Sequence, residues 1–145
     1  MSRRALPAML FAVAVLAMAG PWASSDATGA VTSSFLSSLG VPEAVARVVN
    51  KVLRKCGHAL AYAVFGVLVW RAVPGGGRPI RRPLVSLAFA VALATADELL
   101  QGLSSVRGSS FYDVLLDAGG AMLGIAVAAR VARARARRRE VAPTA

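Results

Sequence analysis

The sequence lacks most of the features that stabilise small secreted or soluble domains. Its one cysteine, Cys56, cannot form a disulfide within the chain and is interpreted as a small packing residue. Acidic residues are few, seven against 17 basic ones. There is no internal repeat, no strand-type alternation and no tight metal motif such as H-E-x-x-H. The sequence therefore argues against a disulfide-stabilised domain, a repeat fold or a β-fold, and it predicts neither a metal nor another cofactor.

Long apolar segments take the place of these features. The chain is 57% hydrophobic with a mean hydropathy of +0.61, which is more apolar than ordinary soluble domains. Four such segments lie at about residues 5–22, 57–73, 84–103 and 113–131. Each approaches the roughly 20 residues that a helix needs to cross a bilayer core of about 30 Å. We therefore expect an all-α integral membrane protein, a compact bundle of four transmembrane helices in one domain over residues 1–145.

The first apolar segment has two interpretations. The stretch "SRRALPAMLFAVAVLAMAG" has a basic start, an apolar core and the small-residue sequence "AMA" before Gly20, which is also the pattern of a cleaved secretory signal. Cleavage there would leave three spans. We favour a retained helix, because a multi-span protein follows and the apolar core is long for a signal.

The distribution of positive charge predicts the topology. With a cytoplasmic N-terminus, twelve of the 17 Lys and Arg residues lie inside, and the remaining five, Arg47, Lys51, Arg54, Lys55 and Arg107, lie outside. This division places both termini in the cytoplasm. Residues 132–145 then form a basic cytoplasmic tail, expected to be disordered, which sets orientation and touches anionic lipid. The net charge of +10 is thus attributed to a membrane partner and not to nucleic acid.

Two helix starts are predicted from local signals. A helix beginning at Pro42 carries its valines on one face, which predicts an amphipathic helix on the outer leaflet before the second span. The Ser/Gly/Ala-rich segment that precedes it shows no strong periodicity. Ser110, followed by Asp113 in the first turn, predicts the start of the fourth helix.

Polar side chains interrupt three of the spans at one depth. Asp97 lies about 20 Å along the third span from Leu84, at 1.5 Å per residue, which places it in the outer half of the membrane. The neighbouring polar residues of that span fall in the same 100° sector of the helix. The second and fourth spans begin with polar residues at the same level. The candidate functional cluster comprises Arg54, Lys55, His58, Tyr62, Asp97, Glu98, Gln101, Arg107, Asp113 and Asp117.

This cluster is predicted to point into the bundle. Asp113 and Asp117 share a helix face with Gly120 and Gly124, a small-xxx-small pair that lets another helix approach closely. A charge near mid-bilayer costs roughly 2.5–3.5 kcal/mol even on the gentler insertion scales, so partnerless acids facing lipid are disfavoured. A polar network that only holds the helices in register is the alternative to a functional pocket.

The sequence resembles the VanZ-like family of bacterial membrane proteins at these residues. The matching motifs are "RKCGHALAY" at 54–62, "ADELLQ" at 96–101 and "RGSSFYDVLLDAGGAMLG" at 107–124, in the family's order and spacing. The chain has "LSSV" before Arg107 where the family has a hydrophobic residue, Pro and Gly. The resemblance implies a protein of the bacterial inner membrane. The family's founding member is associated with resistance to the glycopeptide teicoplanin, but the resemblance supplies no mechanism.

Three hypotheses follow for function. The first is an outer-leaflet pocket that binds or alters the display of an envelope lipid or peptidoglycan-type ligand through Arg54, Lys55 and Arg107. The second is a membrane-surface enzyme acting on a lipid-phosphate or envelope precursor. It would use His58 with Asp97 or Glu98, or a divalent metal held by His58, Glu98 and Asp113. The third is a proton-coupled transporter or accessory subunit, for which four helices would require a dimer.

Overall fold

All regular structure in the described part of the chain is helical. The computed structural model describes residues 3–19, 25–76, 78–102 and 110–141. Its helices are α1 (Leu6–Ala19), α2 (Ser25–Ser38), α3 (Glu43–Ala72), α4 (Arg81–Gly102) and α5 (Phe111–Val141). The predicted all-α class is therefore confirmed for these residues.

Three of the helices are long and apolar enough to cross a membrane. They are α3, α4 and α5 as far as Glu140. α1 is apolar but has only 14 residues, or about 21 Å, which is less than the bilayer core of about 30 Å. The chain thus has the composition of a multi-pass membrane protein. The first predicted span, residues 5–22, ends in a part of the chain that lies outside the described residues.

The helix that contains the second predicted span begins at Glu43, well before the apolar segment at 57–73. Residues predicted to form a separate amphipathic helix on the outer leaflet belong to the same 30-residue helix as the span. No proline interrupts the chain between Glu43 and Ala72, so the change in polarity occurs without a break in the backbone. At about 45 Å, α3 is longer than the bilayer core, and one of its ends extends beyond it. Pro42 caps the helix instead of occupying its first position.

α2 forms in the Ser/Gly/Ala-rich segment, whose sequence shows no strong periodicity. The helix is held to α3 by Asn50, whose Nδ2 donates to the carbonyl oxygen of Gly29 at 3.1 Å and to Oγ of Ser33 at 2.8 Å. These contacts join residues that are 17 and 21 positions apart, so the local pattern of the sequence cannot predict them.

The basic tail is helical as far as Val141, contrary to the prediction that residues 132–145 are disordered. α5 continues without interruption from its apolar part into the Arg-rich part. Alanine and arginine are among the strongest helix formers, so the alternation of these residues extends the helix. The arginines in its last turn, Arg138 and Arg139, also interact favourably with the negative end of the helix dipole.

The central packing is between α3 and α5, where glycines bring the two backbones together. A Cβ added to Gly120 would lie 2.2 Å from the carbonyl oxygen of Ala59, and one added to Gly124 would lie 2.0 Å from that of Ala63. Gly66 of α3 meets α5 in the same way, because an added Cβ would lie 2.6 Å from the carbonyl oxygen of Ala121. At these three glycines the two helices therefore pack backbone against backbone, as in small-xxx-small membrane helix pairs. We call this contact, made by Gly66, Gly120 and Gly124, the glycine seam.

α4 and α1 pack against this pair. The core combines Tyr62, Phe65 and Val69 of α3 with small residues of α4 and α5 and with Ala8 of α1. The rings of Phe11 in α1 and Phe65 are stacked with centroids 6.1 Å apart. At the other end of α3, Arg82 of α4 lies over the Trp70 ring at 4.5 Å, and its Nε donates to the Trp70 carbonyl oxygen at 2.8 Å.

The seam generates a prediction with a matched control on the same helix. Gly124→Ala places a methyl group against the Ala63 carbonyl, so we expect the two helices to separate and the detergent-solubilised protein to lose about 1–3 kcal/mol of stability. Gly119→Ala meets nothing within 4 Å and should be neutral or slightly stabilising. Thermal unfolding followed by circular dichroism measures both; equal transition temperatures for the two variants would contradict the seam.

Candidate functional site

The polar residues of the spans lie together at one end of the bundle. α4 ends there, α5 begins there, and α3 passes through at its middle. This end is buried although its side chains are polar. The buried polar side chains on α4 and α5 near it are Asp97, Glu98, Gln101 and Asp117, with relative exposures from 0% to 6%. Tyr62 of α3 is only 1% exposed. The acidic residues thus face the interior of the bundle.

His58, Asp97 and Asp117 form the centre of the cluster. Nδ1 of His58 lies 3.7 Å from Oδ2 of Asp117 and 3.9 Å from Oδ2 of Asp97. Both distances are too long for good hydrogen bonds, although they are close for an ion pair. The side chain of His58 is 35% exposed, whereas those of the two carboxylates are 1–3% exposed. Of the three side chains, only the His58 imidazole is therefore accessible from outside the bundle.

The glycine seam explains why Asp117 reaches His58. Asp117 is one turn before Gly120 on α5, and His58 is next to Ala59, the residue whose carbonyl faces Gly120. Because the backbones touch at this point, side chains one turn apart on the two helices come within a few ångströms. Asp97 approaches from the third helix, and the hydroxyl of Tyr62 donates to its Oδ2 at 3.4 Å.

Asp117 lacks the partners that a buried carboxylate normally has. Its residue exposure is 0%, and neither Oδ1 nor Oδ2 has a hydrogen-bond partner. Buried polar groups in folded proteins are nearly always hydrogen-bonded, and an unpaired buried carboxylate is especially costly. Two carboxylate oxygens at the centre of the cluster can therefore still accept a hydrogen bond or bind a cation.

The other two acids are engaged elsewhere. Nζ of Lys55 donates to Oδ1 of Asp113, an ion pair that links α3 to the first turn of α5. The backbone N–H of Ser110, just before α5, donates to Oε2 of Glu98 at 2.8 Å. A carboxylate at this position also interacts favourably with the positive end of the α5 dipole.

The structure thus separates the predicted site residues into groups. His58, Tyr62, Asp97 and Asp117 come together, Lys55 pairs with Asp113, and Glu98 joins α4 to the start of α5. Gln101 is buried one turn beyond Asp97, and Arg54 is exposed one turn before His58. Arg107 lies outside the described residues.

One combination in the described part of the chain has the geometry to hold a metal ion. One ligand atom each from His58, Asp97 and Asp117 lie within 4.8 Å of one another. Glu98 and Asp113, which the sequence analysis combined with His58 as a metal set, have the other partners just described. Without a metal, the same three residues form an imidazole between two carboxylates, which can exchange a proton.

Two parts of the arrangement are not visible in the motifs. The partner of Glu98 is a backbone group, and the only hint of it is that Ser110 was predicted to start a helix. Gly66 completes the seam from α3, but an isolated glycine in an apolar helix gives no sign that it faces another backbone.

Comparison with models of known protein families assigns the chain to a family. The model of the VanZ/LLP1 family matches residues 5–133, which include α1, α3, α4 and the part of α5 up to residue 133. The chain therefore belongs to this family. No curated protein and no solved structure matches it.

The ion pair at the rim of the cluster can be tested by a double-mutant cycle. Lys55 and Asp113 are 35% and 22% exposed, so we expect Lys55→Gln and Asp113→Asn to show a coupling energy of about 1–2 kcal/mol. Glu43 and Arg47 form an exposed pair at 2.5 Å with exposures of 77% and 66%, and the same cycle there should give only about 0.3–0.5 kcal/mol. Thermal unfolding in detergent supplies the energies. A larger coupling for the exposed pair would contradict a role for Lys55 and Asp113 in joining α3 to α5.

Proposed function

We propose that this member of the VanZ/LLP1 family binds an anionic component of the cell envelope at the outer-leaflet end of its helix bundle. The ligand class is a lipid-linked or peptidoglycan-type molecule. Binding alters how that component is displayed and thereby affects resistance to glycopeptides such as teicoplanin. The observation that carries the proposal is the convergence of polar side chains from three spans at one end of the bundle, beside two cationic side chains.

The cationic side chains supply the recognition of the anion. Lys55 is partly exposed and is held by Asp113, so its ammonium group has a fixed position at the rim of the cluster. Arg54 is its exposed neighbour and presents a guanidinium group suited to phosphate or carboxylate. Arg107, in the sequence between α4 and α5, would add a third cation. Because the ion pair already orders the Lys55 side chain, less conformational entropy is lost when a ligand binds.

The proposal requires a particular topology. It places four spans in the bacterial inner membrane, with α1 as the retained first span and both termini in the cytoplasm. The stacking of Phe11 on Phe65 supports α1 as part of the bundle, and so does the family match that begins at residue 5. The concentration of arginine around the α3–α4 link and along the end of α5 supports the cytoplasmic assignment of those regions.

An enzymatic function on a lipid-phosphate or envelope precursor is the second candidate, and one observation favours it. His58 lies between two buried carboxylates and is itself accessible, which is the arrangement of an oriented general base. The orienting residues would be Asp97 and Asp117, since Glu98 is hydrogen-bonded to the backbone of Ser110. Turnover of a lipid-phosphate substrate that is lost in His58→Gln but not in Arg54→Gln would favour this candidate over binding alone.

The binding proposal is tested in a teicoplanin-susceptible bacterial host. We expect the wild-type chain to raise the minimal inhibitory concentration several-fold and to reduce the fluorescent teicoplanin bound per cell. The double variant Arg54→Gln/Lys55→Gln should abolish both effects at normal membrane levels, because the anion loses its charged donors. Arg54→Lys/Lys55→Arg should retain part of them.

Lys51→Gln is the matched control for charge, since Lys51 is an exposed cation one turn earlier on α3. Its effect on resistance should equal that of the wild type. No effect of the wild-type chain on glycopeptide binding, or full activity of the double variant, would contradict the proposal.

The topology is tested with single cysteines in a Cys56→Ser background. Lys51 is exposed and lies about 32 Å along α3 from Ala72, so Lys51→Cys should react with a membrane-impermeant maleimide in intact spheroplasts. Arg78→Cys, in the link between α3 and α4, should react only after permeabilisation. The opposite pattern would place the cluster toward the cytoplasm and would contradict an outer-leaflet ligand.

A further inference from the structure

We infer that His58, Asp97 and Asp117 form a binding site for a divalent transition-metal cation such as Zn²⁺, inside the helix bundle. This site goes beyond the proposed binding of an anionic ligand at Arg54 and Lys55 and does not depend on it. It also differs from the sequence-based prediction that the chain holds no metal. The three residues come from three different helices, so only the folded bundle brings them together.

The first support is the unused capacity of Asp117. Both of its carboxylate oxygens are buried without a hydrogen-bond partner, and Oδ2 is directed at the imidazole of His58 at 3.7 Å. A carboxylate placed in this way has lost its hydration and gained no donor in exchange. A bound cation would satisfy both oxygens, which a single neighbouring imidazole N–H cannot do.

The second support is distance. Zinc holds nitrogen and oxygen ligands at about 2.0–2.2 Å, so neighbouring ligand atoms of a tetrahedral site lie roughly 3.4 Å apart. The His58 nitrogen is 3.7 Å and 3.9 Å from the two aspartate oxygens. All three ligand atoms lie within 4.8 Å of one another, so the side chains must close in on the ion when it binds. The close packing of α3 and α5 at their glycines holds His58 and Asp117 in position relative to each other.

The third support is the charge of the group. If both carboxylates within the bundle are ionised, they repel each other, and a single imidazole can balance at most one of the two charges. A divalent cation balances both charges and leaves the site neutral. Lys55 does not serve this purpose, because its ammonium group is paired with Asp113.

The donor set indicates the class of metal. One imidazole and two carboxylates suit a borderline first-row ion such as Zn²⁺ or Fe²⁺ better than Ca²⁺ or Mg²⁺, which take mainly oxygen ligands. Tyr62 donates to the same oxygen of Asp97 that faces His58, and it would orient this ligand as outer-shell partners do in metal sites. With three protein ligands, a fourth position stays available on the accessible side of His58.

The sequence provides a clean probe of this site, because His58 is its only histidine. The full chain, with a histidine-free tag and Cys56→Ser to remove the thiol, is purified in detergent, stripped with a chelator and titrated with Zn²⁺. In protein labelled with ¹⁵N-histidine, we expect the ring nitrogen signal of Nδ1 to shift and to saturate at one equivalent of metal. Elemental analysis after desalting should then give about one zinc per chain.

The matched variants are Asp117→Asn and Asp113→Asn, two near-isosteric changes one turn apart on α5. Asp117→Asn should lower Zn²⁺ affinity by about 100-fold or more, since even losing an outer-shell partner costs 10–100-fold. Asp113→Asn should bind as the background protein does, because Asp113 is paired with Lys55. Tyr62→Phe should fall between the two.

The site is overturned if the imidazole signal does not move at one equivalent of Zn²⁺, or if the two aspartate variants lose affinity equally. Should Asp117→Asn fail to fold, the imidazole titration of the parent protein decides by itself. Because the measurement uses purified protein and metal alone, its outcome is separate from any effect of Arg54 and Lys55 on glycopeptide resistance.

Discussion

The contact between the backbones of α3 and α5 determines the rest of the molecule. At Gly66, Gly120 and Gly124 no side chain separates the two helices, and even a methyl group would collide with a carbonyl oxygen. Side chains just above the contact are therefore forced to meet, which is how His58 and Asp117 come together. In a bilayer, where lipid is as apolar as leucine, such close packing is one of the few sources of specific helix association.

Polar groups in this bundle are arranged in successive levels. Lys55 and Asp113 neutralise each other near the rim, and Glu98 accepts from a backbone N–H at the start of α5. Below them, neither carboxylate oxygen of Asp117 has a hydrogen-bond partner, and His58 lies beyond good hydrogen-bond distance of both aspartates. If the network served only to hold the helices in register, its innermost acids would be the ones with the best partners. The reverse is observed, which favours a site that is completed by something from outside the chain.

Much of this could be predicted from sequence because the signals are local. Apolar length predicts α4 and the membrane part of α3 and α5, and helical spacing places Asp97, Glu98 and Gln101 on one side of α4. The continuity of the two longest helices was harder to predict. α3 passes through a change in polarity without a break, and α5 continues into its basic tail because alanine and arginine both favour helix.

The choice of partners could not be predicted, because it depends on rotation between helices. Asp97 and Glu98 are adjacent in sequence and differ by about 100° in direction, so only the packing of α4 on the α3–α5 pair decides which one faces His58. α2 is a similar case. It depends on the contacts of Asn50 with Gly29 and Ser33, which no periodicity in its own sequence reveals.

The unbroken spans limit what can reach the central cluster. His58, Asp97 and Asp117 are each 13–16 residues, or about 20–24 Å, from the arginines at the opposite end of their own helices, Arg71, Arg81 and Arg130. If these arginines lie at the edge of a bilayer core of about 30 Å, the three side chains are roughly 6–10 Å beneath the nearer headgroups. A bulky glycopeptide is too large and too hydrophilic to enter so far between helices. Ions and water are small enough to reach these inner residues, whereas under the proposed function a larger envelope molecule would bind at Arg54 and Lys55.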